Sequence, residues 1–200
     1  MSWKRTEESE LSFARDLPLT QQAIRFAAEQ HATQRRDGDG AEFMVHPVEV
    51  AAIVRGLGYD DDVVAAAVLH DVLEDTDAER RDLETRFGRR VADLVAVVSD
   101  DPSIDDEDER RADLREQVSH GGPDALAVFA ADKISKVREL RMLMAGGMTE
   151  DAAESKHHHY RESLAMLERQ GTHERLLDEL RFELETLESL PPQARSASAP

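Results

Sequence analysis

The sequence predicts an all-α protein with a single domain, and its length, composition and patterning all favour this fold. Its 200 residues suit one domain with a core of its own. Hydrophobic residues make up 40% of the chain but aromatic residues only 4%, so the core is mainly aliphatic, and abundant alanine and leucine favour helices. Apolar residues recur at helical spacing, and no segment has the alternation of a strand.

The first elements are bounded by proline and glycine. Pro18 lies near the start of a predicted helix, LTQQAIRFAAEQHATQRR, where proline is tolerated. The glycine- and aspartate-rich stretch RDGDGAE predicts a loop. The pair His46-Pro47 opens the next helix, HPVEVAAIVRGL, which we expect to stop at Gly56 and Gly58.

A strongly apolar helix, VVAAAVLHDVLEDT, follows, and Asp60 or Asp61 is its expected N-cap. Gly146-Gly147 ends the longest of the later helices. The spacing of apolar residues predicts these later helices at AERRDLETRF, GRRVADLVAVV, DERRADLREQV, PDALAVFAADKISKVRELRMLMA, 151–169 and 172–189. The last two carry leucine at core spacing and either pack over the domain or form a dimer surface.

The two ends of the chain are polar. We expect a flexible segment over residues 1–15, the helical domain over 16–190 and a disordered tail, PPQARSASAP, over 191–200. The N-terminus lacks the apolar stretch of a signal peptide, and no apolar run approaches the ~20 residues that span a bilayer. These features predict a cytoplasmic protein.

Charge and cysteine content exclude several classes of function. The formal net charge of −18 disfavours binding to nucleic acid or anionic membranes, which requires a basic surface. A small phosphorylated substrate remains compatible, because a metal ion and a few arginines can reverse the potential inside one cleft. The absence of cysteine excludes disulfides and thiolate zinc sites.

Four residues carry the clearest chemical signal: His46, the adjacent pair His70-Asp71, and Asp132. Each falls in or at the start of an apolar-periodic helix. Ionisable groups in such segments are unfavourable unless they are paired or bound to metal. Two imidazoles and two carboxylates form a mixed nitrogen and oxygen set that suits a divalent transition metal. The alternative for each alone is structural, with His46 as a helix cap and Asp132 paired to a neighbouring lysine.

Two further acids follow the His-Asp pair at helical spacing. Glu74 lies four residues after His70, and Asp75 lies four after Asp71, so the four can line one side of a cleft. A carboxylate near a metal can orient a water molecule or accept its proton. Four protein ligands would fill a tetrahedral zinc site, whereas an octahedral ion such as Mn²⁺ would keep two open positions.

The order and spacing of these motifs resemble those of the HD phosphohydrolase superfamily. The chain is most similar to the (p)ppGpp hydrolase domain of RelA/SpoT proteins and to the free-standing small alarmone hydrolases. His31 with Arg36 resembles the pattern that precedes the family's His-Pro motif. The matching stretches, within about residues 20 to 145, are FMVHPVEVAAIV, AAAVLHDVLEDT, RFGRRVADLVAVVSDD and FAADKISKVREL.

This resemblance implies an HD-type helical domain and Mn²⁺-dependent removal of the 3′-pyrophosphate of guanosine tetra- or pentaphosphate. Another divalent transition metal is also compatible with the ligand set. By the same comparison Glu74 and Asp75 would position the attacking water. The implied metal ligands are His46, His70, Asp71 and Asp132, and the implied substrate contacts are Arg36, Lys136, His31 and Arg138. A monomer and a homodimer are both compatible with the pattern.

Three positions depart from the family pattern. Asp37 stands where a lysine is usual, Pro102 replaces a lysine after the Asp-Asp pair, and Lys136 replaces an asparagine that contacts the nucleoside. Lys136 either forms an exposed i,i+4 ion pair with Asp132 or reaches into the cleft to bind phosphate, and we favour the cleft. The metal and water-positioning residues match, so the chemistry is better supported than the substrate.

Several alternatives therefore remain open. One is an HD phosphohydrolase for another nucleotide, such as a nucleotidase or an NADPH phosphatase. Another is a nucleotide-binding regulator without catalysis, which two extra acids beside the ligands disfavour. His31 is either a substrate contact or a satisfied core histidine. The run His157-His158-His159 is expected on a solvated helix surface, because consecutive helical positions diverge by about 100° and cannot share one metal.

Overall fold

The computed structural model describes residues 11–36 and 40–189, and within these ranges the chain is helical. The only β pairing there is an isolated antiparallel bridge between Arg35 and Glu42. The predicted all-α class is confirmed. The described part contains one 3₁₀ turn, Leu11–Ala14, followed by α1 (Pro18–Gln30), α2 (Val45–Gly56), α3 (Asp61–Leu69), α4 (Val72–Asp75), α5 (Arg80–Phe87), α6 (Arg89–Val98), α7 (Glu107–Ser119), α8 (Gly122–Ala145), α9 (Glu150–Arg169) and α10 (Glu174–Glu188).

Two helices, α3 and α8, form the centre of the domain. In α3 every residue from Val63 to Leu69 is buried, and α1, α2, α6 and α8 pack around it. Helix α8 contacts α2, α3, α6, α7, α9 and α10, and it buries thirteen residues along its length. Because both helices are surrounded, polar side chains at the end of α3 and the middle of α8 are held in a rigid core.

The first helix is shorter than the sequence pattern indicates. Its periodicity suggested a helix running to Arg36, but α1 ends at Gln30, where the backbone N–H of His31 donates to Ala27. The chain then turns, and the N–H of Arg36 donates to the carbonyl of Ala41. Arg35 and Arg36 thus pair with Glu42 and Ala41 and make no further helical bonds.

The helix that carries the His-Asp pair is interrupted at that pair. Regular helix ends at Leu69 and resumes at Val72, although His70 and Asp71 keep right-handed backbone angles and the N–H of Asp75 still donates to the carbonyl of Asp71. Helical spacing across the break is thus approximately preserved. The acids that follow remain near the pair.

Two adjacent aspartates cap different helices. Asp60 is the N-cap of α3, and its side chain accepts from the N–H of Val63. Asp61 instead accepts from the N–H groups of Leu19 and Thr20 at 2.9 and 2.8 Å, which caps α1. Side-chain caps of this kind satisfy N–H groups that have no partner within the helix. The pair therefore fixes the start of α3 against the start of α1.

The predicted chain ends lie mostly outside the described residues. Residues 1–10 of the expected flexible segment and the whole expected tail, 191–200, fall there, whereas Leu11–Ala14 form the 3₁₀ turn and bury Ala14. The loop residue Asp37 also lies outside. No helix in the described ranges combines the length and apolar character needed to cross a membrane.

The C-terminal helices pack over the domain. Helix α9 contacts α7, α8 and α10, and α10 also packs on α8. The expectation of a solvated histidine run is wrong for one of its three members. His158 is exposed and His157 half-buried, but His159 is buried, and its Nδ1 accepts from Nη1 of Arg115 at 2.8 Å. Burial and the nearby cations Lys133 and Arg111 lower the pKa of His159 to about 2.

Replacing His159 with glutamine should reduce the loss of stability in mild acid. The folded-state pKa lies below the ordinary value of 6.5, so only the unfolded state takes up a proton as the pH falls below 6.5. His159 therefore lowers the free energy of unfolding by up to about 1.4 kcal/mol for each pH unit below 6.5. Urea unfolding between about pH 7.5 and pH 5 would show a shallower slope for the variant.

The matched control is His158→Gln, which changes an exposed neighbour on the same helix. This control should follow the wild-type pH dependence. Parallel curves for His159→Gln and the wild type would contradict a buried, neutral imidazole.

Candidate metal centre

Three helices bring the four predicted metal ligands together. His46 lies in the first turn of α2, His70 and Asp71 follow α3, and Asp132 lies in the middle of α8. All four are buried. The Nε2 atom of His46 lies 3.1 Å from Nε2 of His70, 3.2 Å from Oδ1 of Asp132 and 3.4 Å from Oδ2 of Asp71. One ligand atom each from His46, His70 and Asp132 lies within 4.8 Å of the others, as a metal site requires.

The protein orients His70 through its other ring nitrogen. Nδ1 of His70 lies 2.9 Å from the carbonyl oxygen of Ala67, one turn earlier in α3. A carbonyl only accepts, so Nδ1 carries the proton and donates it. In its neutral form the ring then presents the lone pair of Nε2 to the cluster, as metal-binding histidines commonly do.

His46 is oriented through a hydroxyl group. Its Nδ1 lies 2.9 Å from Oγ of Ser135, and that hydroxyl lies 2.7 Å from Oε2 of Glu49. Because Ser135 has one hydroxyl proton and donates it to the Glu49 carboxylate, its oxygen accepts from Nδ1 of His46. Nε2 of His46 then also presents a lone pair.

Two lone pairs and two carboxylates thus face one point, which favours a cation there. Oδ1 of Asp132 is buried and faces His46 and Lys136 at 3.2 Å, but neither contact has the geometry of a hydrogen bond. Burial lowers the pKa of His46, whereas Asp71 and Asp132 outweigh the effect of burial and raise the pKa of His70. A divalent transition metal fits the same donor set of two nitrogens and two carboxylates.

Both ligand carboxylates are held ionised. Burial alone would raise the pKa of Asp71, but His70 and Lys136 lower it to about 2. Burial opposes ionisation of Asp132 as well, yet Lys133 and Lys136 hold its pKa well below the usual range. Nζ of Lys133 lies 2.7 Å from Oδ2 of Asp132, and Nζ of Lys136 lies 3.2 Å from Oδ1.

Glu74 and Asp75 line a cleft beside the cluster. The sequence placed them in a buried segment, but both side chains are open to solvent at the cleft wall, because α4 reaches the surface after the break in the helix. Protein packed around Glu74 and the charge of Asp71 raise its pKa to about 7. The same two causes raise the pKa of Asp75. The N–H of Asp100 donates to Oε1 of Glu74 at 2.8 Å and restrains it.

The cleft has a volume of about 430 Å³. His46 and Asp71 lie at its wall, whereas His70 and Asp132 do not line it. Tyr160 and Lys156 of α9 also line the cleft. Neither was predicted from the sequence as a site residue, because the histidine run beside them was expected on a solvated surface. The signal available for Tyr160 was its position on the apolar side of α9, where it is buried.

Of the expected substrate contacts, Lys136 and Arg36 line the cleft. Lys136 is one-third exposed, and besides Asp132 it approaches Oδ1 of Asp71 at 3.7 Å. The Nε atom of Arg36 lies 3.1 Å from Oε1 of Glu139, and the Arg36 side chain is 8% exposed. Lys136 therefore lies beside the candidate ligands Asp71 and Asp132, and Arg36 lies at the cleft wall beside Glu139.

The structure places His31 and Arg138 outside the cleft lining. His31 is buried, stacks on Phe43 with ring centroids 4.3 Å apart and hydrogen-bonds the side-chain oxygen of Gln34. Nε2 of Gln34 in turn donates to the carbonyl of Asp75 at 2.9 Å. Pro102 lies in an exposed turn away from the cleft lining.

The guanidinium group of Arg138 contacts three carboxylates outside the cleft lining. These belong to Glu49, Glu179 and Glu183. Such a site, with every edge of the guanidinium engaged, leaves Arg138 less suited to a substrate than Lys136.

Comparison with known proteins agrees with this geometry. The family model described as HD domain matches residues 23–145, a range that contains all four predicted metal ligands. The human protein named guanosine-3′,5′-bis(diphosphate) 3′-pyrophosphohydrolase MESH1 is 39% identical over 132 residues, which cover 64% of this chain and 73% of that protein. A guanosine-3′,5′-bis(diphosphate) 3′-pyrophosphohydrolase from Aquifex aeolicus is 34% identical over 122 residues, 60% of this chain and 17% of its own length.

A solved structure also shares the fold. It is that of a metazoan ortholog of SpoT, described as hydrolysing ppGpp and acting in starvation responses. The two agree with a TM-score of 0.77 at 29% identity, over 86% of this chain and 97% of the other. The resemblance predicted from the sequence is confirmed, and the chain belongs to the HD domain family.

Proposed function

We propose that this chain hydrolyses (p)ppGpp by removing the 3′-pyrophosphate, with Mn²⁺ as the metal ion. The observation that carries the proposal is the convergence of His46, His70, Asp71 and Asp132 beside a cleft that also holds Glu74. Relatives that are 34–39% identical carry the name of this activity, which supports the substrate.

The four ligands would hold the ion by two imidazole nitrogens and two carboxylates. When bound, the ion supplies Lewis acidity that lowers the pKa of a water molecule and withdraws charge from a phosphate oxygen. The chain's own contribution is to bind Nδ1 of both imidazoles through the carbonyl of Ala67 and the hydroxyl of Ser135, so that both Nε2 atoms point inward. It also keeps both aspartates ionised at neutral pH.

Glu74 and Asp75 would orient the water and accept its proton. A pKa of about 7 at Glu74 is well matched to proton transfer near neutral pH. The water oxygen bonds to the proximal 3′-phosphorus as the bond from that phosphorus to the ribose 3′-oxygen breaks. Pyrophosphate leaves, and the ribose oxygen takes a proton to become a hydroxyl group.

Cationic side chains would bind the phosphates of the substrate despite the acidic surface of the protein. Lys136 lies beside the ligands, and Arg36 and Lys156 line the same cleft. Guanidinium and ammonium groups pair well with phosphate oxygens. The local potential in the cleft can therefore oppose the net charge of −18.

A second candidate is hydrolysis of another phosphorylated nucleotide, such as NADPH or a nucleoside monophosphate. One observation favours it: Lys136 stands where the family pattern has an asparagine, and its ammonium group lies in the cleft. An ammonium group at this position would bind a phosphate better than it would bind the base or ribose of a nucleoside. The metal chemistry would be the same.

We also place the reaction in the cytoplasm and expect neither nucleic acid nor a membrane as partner. The net charge of −18 disfavours binding to nucleic acid and to anionic membranes. A monomer or homodimer is sufficient, because all the proposed ligands come from one chain.

Incubating the purified chain and Mn²⁺ with ppGpp, NADPH and nucleoside monophosphates tests the proposal. Release of pyrophosphate and GDP from ppGpp, with much slower reaction of the others, is the expected result. Release of inorganic phosphate from another nucleotide, with ppGpp intact, would establish the second candidate. Tight ppGpp binding without turnover in any metal would indicate a regulator.

Removing a ligand and removing the proton acceptor should have different effects. Asp132→Ala and Asp71→Ala should abolish Mn²⁺ binding, because each removes a carboxylate of the cluster. Glu74→Gln should bind Mn²⁺ normally and lower kcat by about 10² to 10⁴. Calorimetric titration with Mn²⁺ and steady-state kinetics measure the two properties. Asp77→Asn, an exposed acid outside the cleft lining, is the control, and a wild-type kcat for Glu74→Gln would disprove its role.

Lys136→Asn should change substrate preference, because it replaces a cleft ammonium with the residue of the family pattern. We expect the ratio of kcat/KM for ppGpp to that for NADPH to rise about tenfold or more, equivalent to about 1.4 kcal/mol. Lys156→Asn removes a positive charge from the same cleft and serves as the control. An unchanged ratio would mean that Lys136 is only an ion-pair partner of Asp132.

A further inference from the structure

A continuous chain of polar side chains runs from His46 to the C-terminal helix. Its first link is the hydroxyl of Ser135, which accepts from Nδ1 of His46. The second is Glu49, whose Oε2 accepts the hydroxyl proton at 2.7 Å. The third is Arg138, whose Nη1 donates to Oε1 of Glu49 at 2.8 Å. Each side chain is therefore joined to the next by a hydrogen bond.

The last link lies on α10. Nε of Arg138 donates to Oε1 of Glu183 at 2.7 Å, and Glu183 is 4% exposed. The other oxygen of Glu183 accepts from Nη1 of Arg141. A buried carboxylate is costly unless it is fully paired, so Glu183 holds both arginines in place. Glu179, on the same helix, accepts from Nη2 of Arg138.

The direction of the Ser135 hydroxyl depends on this chain. A serine hydroxyl can donate to Nδ1 of a histidine or accept from it, and its partner on the other side decides which. With Glu49 in place the hydroxyl donates outward. If Glu49 moved away, the hydroxyl could turn and donate to Nδ1 of His46. The proton of His46 would then lie on Nε2, where it would block the lone pair needed for a metal.

We propose that α10 is part of the metal centre, because Glu183 fixes, through Arg138, Glu49 and Ser135, the tautomer of His46 that can bind a metal. Ser135, Glu49 and Glu183 are thus positioning residues. Glu183 lies outside residues 23–145, the range that the HD family model matches. A segment beyond the matched domain would therefore control metal affinity.

This inference rests on the metal site of the proposed function and is independent of ppGpp as the substrate. A chain that binds Mn²⁺ but leaves ppGpp intact would refute the proposed substrate and leave the relay standing. The test therefore measures Mn²⁺ binding and the tautomer of His46, without a nucleotide present.

Mn²⁺ affinity is measured by calorimetric titration of the full chain after removal of metal with a chelator. Ser135→Ala should weaken Mn²⁺ binding by about 10- to 100-fold, the usual effect of losing a partner of a metal-bound histidine. Ser135→Thr keeps the hydroxyl and should stay within about threefold of the wild type. Glu183→Gln should weaken binding about tenfold. Glu185→Gln, an exposed position on α10, should bind as the wild type does.

A double variant separates the relay from general damage to the fold. If Glu183 acts through Ser135, Glu183→Gln should cause no further loss of Mn²⁺ affinity in the Ser135→Ala background. Equal losses in both backgrounds would overturn the relay, as would a wild-type affinity for Glu183→Gln.

Imidazole ¹⁵N spectra of the metal-free chain give a readout independent of affinity. At about pH 8, where a histidine with an ordinary pKa is neutral, His46 should be protonated at Nδ1 in the wild type and in Ser135→Thr. Ser135→Ala and Glu183→Gln should shift population toward Nε2 protonation. The same tautomer in all variants would also overturn the proposal.

Discussion

The Nε2 atoms of His46 and His70 lie 3.1 Å apart. The carboxylates of Asp71 and Asp132 each lie within 3.5 Å of both nitrogens. Like-charged and lone-pair atoms at such distances repel unless a cation lies among them. The ammonium group of Lys136, 3.2 Å from Oδ1 of Asp132, reduces this repulsion. The surrounding helices hold these four groups in place: His46 lies in α2, His70 and Asp71 directly follow the buried α3, and Asp132 lies in the buried middle of α8.

The fold around this cluster follows from apolar packing. Helix α3 contributes an uninterrupted buried stretch from Val63 to Leu69, and α8 packs against six other helices. Side chains anchored in such a core cannot move apart to relieve their repulsion. The cleft side is different, because α4 is short and leaves Glu74 and Asp75 open to solvent. Rigid ligands next to accessible acids are what metal-assisted hydrolysis needs.

The helical class could be predicted because apolar periodicity leaves a local mark. The four candidate ligands, which the structure brings together, could be singled out because they are ionisable residues within apolar segments. Features that depend on distant partners could not. The buried His159 accepts a hydrogen bond from Arg115 of α7, and Arg138, outside the cleft lining, donates to Glu183 of α10. After the early end of α1, Arg36 pairs with Ala41, a residue beyond the loop that follows. Helical spacing gives the face of a residue but not the neighbour that the fold packs against it.

The most direct test of the metal centre is electron spin-echo spectroscopy of the Mn²⁺-loaded chain, prepared with natural-abundance and with ¹⁵N-labelled histidine. We expect one tightly bound ion per chain, coupled to two imidazole nitrogens, with one coupling lost in His46→Gln and the other in His70→Gln. An ion without histidine coupling, or couplings unchanged by both substitutions, would contradict this expectation.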